Sequence, residues 1–81
     1  MYLHIGNDKI IKKENILFLL DYEGIKDNAS FQSFINNIKK ENREDISGQN
    51  PKTVIITKED GKIKSYLSNI SAVTLVKRSR I

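Results

Sequence analysis

The side chains with the clearest chemistry in this chain are basic, and they are unevenly placed. Lys9, Lys12 and Lys13 form one group, Lys52 follows Pro51, and Lys77, Arg78 and Arg80 crowd the C-terminal end. Fourteen Lys and Arg stand against ten Asp and Glu, a net charge of +4, and those last three residues supply three of the four charges. The rest is close to neutral, so placement matters more than total. Lys and Arg neutralise phosphates and release counterions, which gives affinity with little sequence information. Basic stretches also suit anionic headgroups, or simply a solvated face. Lys9, Lys12, Lys13 and Lys52 sit in or beside turns, where long side chains reach outward. Residues 77–81 read as a mobile basic tail that can follow a phosphate backbone. These seven cations are the expected phosphate contacts.

Other chemistry is hard to find. There is no cysteine, which excludes disulfides, thiolate nucleophiles and sulfur-based zinc sites. The single histidine, His4, lies inside an apolar run and adjoins no motif. The acids fall mostly in turns, as Glu44-Asp45 and Glu59-Asp60 do, which is the usual solvated arrangement. None of the four glycines belongs to a phosphate-binding fingerprint. The chain reads as a non-enzyme with no metal and no cofactor, and it matches no helix-turn-helix, zinc finger or RNA-recognition motif.

The elements that must position the basic residues follow from periodicity and turn chemistry. Tyr2–Ile5 and Lys9–Lys12 read as strands joined at Gly6-Asn7-Asp8, residues that tolerate positive φ. Asn15–Asp21 is a continuous apolar strand, whose lack of alternation predicts burial on both faces, inside the subunit or at a subunit contact. Glu23–Asn28 is a polar connection. Phe31, Phe34, Ile35 and Ile38 fall at i, i+3, i+4 and i+7, predicting one long helix over Ser30–Lys40 with the phenylalanines in the core. Asn28 or Ser30 would cap it, and Lys39 and Lys40 would suit its C-terminal dipole. Asn42–Pro51 is a polar connection. Lys52–Lys58 and Lys62–Leu67 form a hairpin through Asp60-Gly61, both acceptable in a type I′ turn. Ile63, Ser65 and Leu67 share one face of the return strand, and Lys62, Lys64 and Tyr66 the other. Ser68–Arg78 is ambiguous between strand and helix. A short helix is chosen, capped by Ser68 or Asn69, with Ile70, Val73 and Thr74 on one stripe and Val76 near its edge. The expected class is α+β: a small, largely antiparallel sheet, one long helix and a short C-terminal one, in a single domain over residues 1–81.

At 81 residues the core is small. With disulfides and metals excluded, a homo-oligomer is the remaining route to extra buried surface. No run approaches the roughly 18 apolar residues that span a bilayer. No basic stretch followed by a long apolar one opens the chain. A cytoplasmic protein with no membrane partner is expected.

The order of His4-Ile5-Gly6 before the second strand, Gly48 before Thr53–Thr57, and a serine-and-threonine stretch ahead of Lys77-Arg78 resembles the bacterial extracellular-matrix regulators RemA and RemB. The likeness is clearest over Tyr2–Leu20 and Lys52–Leu67, and closer to the RemB branch. It implies a small α+β subunit assembled into a ring, and a cytoplasmic regulator of biofilm-matrix genes that meets double-stranded DNA through repeated weak basic contacts. The RemA branch carries DNA-contacting arginines where this chain has Asn15, Gln49 and Asn50. The resemblance therefore moves the contact to Lys12, Lys13, Lys52 and the C-terminal cations. It also opens a second reading, an assembly module that binds protein partners such as a DNA-binding paralogue.

Overall fold

The computed structural model describes residues 1–80. β1 (Tyr2–Gly6) and β2 (Lys9–Lys12) form an antiparallel hairpin. Its turn needs left-handed backbone at three successive residues, Gly6, Asn7 and Asp8, with φ of 115°, 47° and 61°. After a single tight turn at Lys13–Asn15 come β3 (Ile16–Asp21), α1 (Tyr22–Ile25) and α2 (Ala29–Asn36). Another single turn at Lys40–Asn42 leads into β4 (Arg43–Asp45), and then follow β5 (Thr53–Glu59), β6 (Lys62–Ser68) and α3 (Ala72–Ser79). The four-stranded sheet has the order β3-β5-β6-β4 and is antiparallel except for β4 along β6. The mixed α+β class and the mainly antiparallel pairing agree with expectation. Two sheets take the place of one, because the N-terminal hairpin pairs only with itself.

The register defines two faces. Leu19, Ile55 and Tyr66 form one cross-strand row. Leu3, Ile5 and Ile11 of the hairpin, Ile46 and Leu75 of α3 close onto that face and form the core. On the other face Val54 and Ile56 are buried, with Phe18, Ser65 and Leu67 beside them in the same cross-strand rows. Tyr22 of α1, α2 and the segment after it lie over this side, and no residue of α2 is buried.

Several expectations need correction. Asn28 does cap α2, its side chain accepting from the Phe31 amide at 2.9 Å. The helix ends at Asn36, however, well short of Lys40. Asn36-Asn37 is poor helix former material, and by leaving the helix Ile38 reaches a buried position, 7% exposed. Lys39 and Lys40 therefore lie outside the last turn, and Phe34, at 38% exposed, is not a core residue. α1 runs into Glu23–Asn28, the segment expected as a polar connection, and Asp21 caps it through the Gly24 amide at 3.0 Å. β4 lies within the segment expected as a connection. Arg43-Glu44-Asp45 shows no apolar pattern, and only its pairing with β6 makes it a strand. β3 is an edge strand whose Leu17 and Phe18 are 51% and 41% exposed, so it is not buried on both faces within the subunit.

α3 confirms a C-terminal helix but in a different phase. Its cap is Ser71, because the Ser68 hydroxyl is already engaged, donating to the Ile5 carbonyl at 2.6 Å and accepting from the Ile70 amide at 3.0 Å. Leu75 is fully buried while Val73 faces solvent. Of the expected basic tail, Lys77, Arg78 and Ser79 are the last turn of α3 and Arg80 its C-cap; Ile81 lies outside the described residues. The Asp60-Gly61 turn is as expected, with φ of 52° and 78°. No helix among the described residues is long and apolar enough to cross a membrane.

Candidate functional site

The basic residues separate into three places. Lys12 ends β2 opposite Tyr2, and the Lys13 amide donates to the Met1 carbonyl at 2.9 Å. From there the Lys13 ammonium donates to the Ser79 carbonyl at the end of α3. Arg78 reaches back to the His4 carbonyl, Nη1 donating at 3.3 Å. Residues from the two ends of the sequence thus meet, with Lys13 and Arg78 joining the hairpin to the last turn of α3, which also carries Lys77 and is capped by Arg80. Cations suit this place, since the last carbonyls of a helix carry partial negative charge. Glu14, next to Lys13 in the chain, is bound by the Met1 amino group at 3.1 Å, which lowers its carboxyl pKa.

Lys9 lines a second place, a cleft it shares with Lys12. Its ammonium lies 3.7 Å from the Glu44 carboxylate and 5.4 Å from the centre of the Tyr66 ring. Both neighbours hold the charge against the four-stranded sheet, which leaves it less able to meet a phosphate. Lys52 stands just before β5, its amide donating to the Ser68 carbonyl at 2.8 Å. The seven residues of β5 separate it from the end where Lys12 shares a cleft with Glu59 and Asp60. At about 3.3 Å per residue that is roughly 20 Å. Of the neutral positions marked by the resemblance, Asn15 lines that same cleft. Gln49 and Asn50 are exposed in the Ser47–Asn50 turn, where Gly48 and Gln49 have φ of 60° and 69°.

Sequence reasoning missed one polar centre. Glu59 Oε2 accepts from the hydroxyls of Thr57 and Tyr66, each at 2.7 Å, and Lys64 lies 3.5 Å from Oε1. Burial by itself would raise the Glu59 pKa, but the Tyr66 and Thr57 hydrogen bonds and the Lys64 charge outweigh it and hold the carboxyl below its ordinary range. Burial, reinforced by the bond to Glu59, pushes the Tyr66 phenol well up, so it stays a donor. The alternation of Thr57 and Glu59 placed them on one face, yet nothing local pointed to Tyr66 across the hairpin. This centre joins two strands. His4 is exposed, and among the described residues no group of three or more His, Cys, Asp or Glu is placed to hold a metal.

No curated protein matches the chain. A family model does match over residues 2–79, and its description is RemA-like, extracellular matrix regulatory protein A-like. That span takes in the hairpin, both sheets and the helices up to Ser79. The chain therefore belongs to the RemA-like family of extracellular matrix regulatory proteins.

Proposed function

We propose that the chain is a non-catalytic, DNA-associated regulator of extracellular-matrix genes, of the RemB type, acting in the cytoplasm as a homo-oligomeric ring. The observation that carries this reading is the meeting of Lys13 and Arg78 where the hairpin joins α3, whose last turn and C-cap add Lys77 and Arg80, with Lys12 one residue from Lys13. Among the described residues, Lys12, Lys77 and Arg80 have no ion-pair partner and are exposed. A near-neutral subunit with a few such contacts binds phosphate weakly alone, and repetition around a ring multiplies the contacts. The exposed apolar edge of β3 supports assembly, because an unpaired strand edge is a template for a second chain.

The test is a titration against long duplex DNA of unrelated sequence at about 50 and about 200 mM salt, between which several phosphate contacts cost orders of magnitude in affinity. Binding should collapse with salt and be lost in the triple variant Lys12→Glu, Lys77→Glu, Arg80→Glu, whose side chains make no hydrogen bond or ion pair among the described residues. Normal binding by that variant places the contact elsewhere, with exposed Lys52 next in line.

The neutral Asn15, Gln49 and Asn50 favour a second reading, an assembly module whose partner is a protein such as a DNA-binding paralogue. It expects no DNA binding at low salt, together with salt-insensitive co-purification of that partner.

A further inference from the structure

α2 spans the thinly covered face of the four-stranded sheet without burying any of its own residues. Between helix and sheet lies a cleft of about 320 Å³, walled by Tyr22, Phe31, Ile35, Val54, Ser65 and Leu67. Its volume sits at the lower end of the range for small-molecule sites, roughly 300 to 1,000 Å³. Apart from the hydroxyls of Ser65 and Tyr22 this wall is hydrocarbon and aromatic ring.

Lys40 and Arg43 border the cleft, and among the described residues neither has an ion-pair partner. Glu44 and Asp45 line the cleft too, and both are engaged by other groups. Glu44, paired with Tyr66 in the parallel ladder, reaches Lys9 at 3.7 Å. Asp45 accepts from both the amide and the hydroxyl of Ser47, at 2.9 and 2.6 Å. The apolar wall therefore ends on two cations that form no ion pair with these acids.

We propose that this cleft binds a small amphipathic organic anion, a monocarboxylate with a short apolar chain or ring. The apolar part leaves water against Phe31, Ile35, Val54 and Leu67, and the carboxylate meets Lys40 and Arg43 at the mouth. Arg43 suits a carboxylate in particular, since a guanidinium can donate two parallel hydrogen bonds to it. The side chains of Phe31, Ile35, Val54 and Leu67 favour an apolar body. The site is separate from the basic end where α3 meets the hairpin, so the inference stands apart from the DNA reading.

The experiment is calorimetric titration of the full chain with octanoate, octanol and octylammonium, alongside the unfolding temperature with each probe. Octanoate should bind saturably and raise the unfolding temperature, because a ligand of the native state stabilises it by mass action. Octanol and octylammonium should bind about tenfold more weakly, the scale of one or two charge-assisted hydrogen bonds. The double variant Lys40→Gln, Arg43→Gln should lose about the same factor for octanoate and keep its octanol affinity. Lys58→Gln, an exposed cation away from the cleft, should change nothing, and Ile35→Trp should block all three probes. The idea is overturned if octanol binds as tightly as octanoate or if the double variant binds octanoate unchanged. It is equally overturned if octanoate gives neither saturable heat nor a higher unfolding temperature, the result expected where a second copy of the chain covers the cleft.

Discussion

Glu59 shows how much a single side chain can depend on neighbours that are distant in sequence. Its carboxylate collects the hydroxyls of Thr57 and Tyr66 and lies beside Lys64, so it is held ionised despite partial burial. Tyr66→Phe keeps the ring in the core and removes only one donor to a charged acceptor. The expected loss is about 1 to 3 kcal/mol, read from urea unfolding near neutral pH. The carboxyl pKa is lowered from 4.5 in the folded protein. Its contribution is therefore complete above the unfolded-state value and disappears as the pH falls through the folded-state value. Glu59→Gln should accordingly be less stable than the parent near neutral pH, with the gap narrowing as the pH drops below about 4.5. A gap that stays constant down to about pH 3 would show that the carboxylate is not held in this way.

At the scale of elements, α3 depends on one buried residue and one cap. Leu75 is fully buried in the core, and the Ser71 hydroxyl accepts from the Thr74 amide at 3.3 Å. Leu75→Ala should cost about 2 to 5 kcal/mol, Ser71→Ala about 1 kcal/mol, and Val73→Ala at most about 0.5 kcal/mol. Thermal unfolding of the three variants checks the order; a larger loss at Val73 than at Leu75 would put the helix in the phase its β-branched residues suggest. The turns at Gly6-Asn7-Asp8 and Asp60-Gly61 could be read in advance because the preference for positive φ is a local steric matter. The end of α2 could not. The i, i+3, i+4, i+7 spacing through Ile38 satisfies a helix, and only the sheet face below draws Ile38 out of it.

For the whole molecule, the two faces of the main sheet are unequally covered. The hairpin and α3 seal one face around Leu3, Ile5, Ile55 and Leu75, while α2 lies loosely over the other. β3 stands at the sheet margin with Leu17 exposed and Phe18 stacked at 6.2 Å against Phe34 of α2. If assembly uses this margin, Leu17→Lys should give a monomer with an unchanged circular dichroism spectrum, because an exposed edge lysine opposes strand addition. Light scattering after size exclusion measures this, and an unchanged mass would move the subunit contact to another surface. Leu17 is preferable to Phe18 for this purpose, since replacing Phe18 would also remove the contact with Phe34.

Taken alone, the chain already specified the strands around Leu3, Leu19, Ile55 and Ile63, the left-handed turns at Gly6-Asn7-Asp8 and Asp60-Gly61, and a helix cap at Asn28 or Ser30. It also specified the lack of cysteine chemistry and the places along the chain where cations cluster. These follow from steric preference, side-chain period and composition, which act over a few residues. Three features needed the folded molecule. β4 exists because β6 offers its backbone to Arg43–Asp45, whatever their side chains. Ser71 rather than Ser68 caps α3 because the Ser68 hydroxyl is taken by the Ile5 carbonyl. Lys13 meets the end of α3, and Lys52 lies apart from Lys12, because the strands set which turns are neighbours in space. Such long-range pairings are fixed by shape and hydrogen bonding among distant segments, and no local window of sequence contains them.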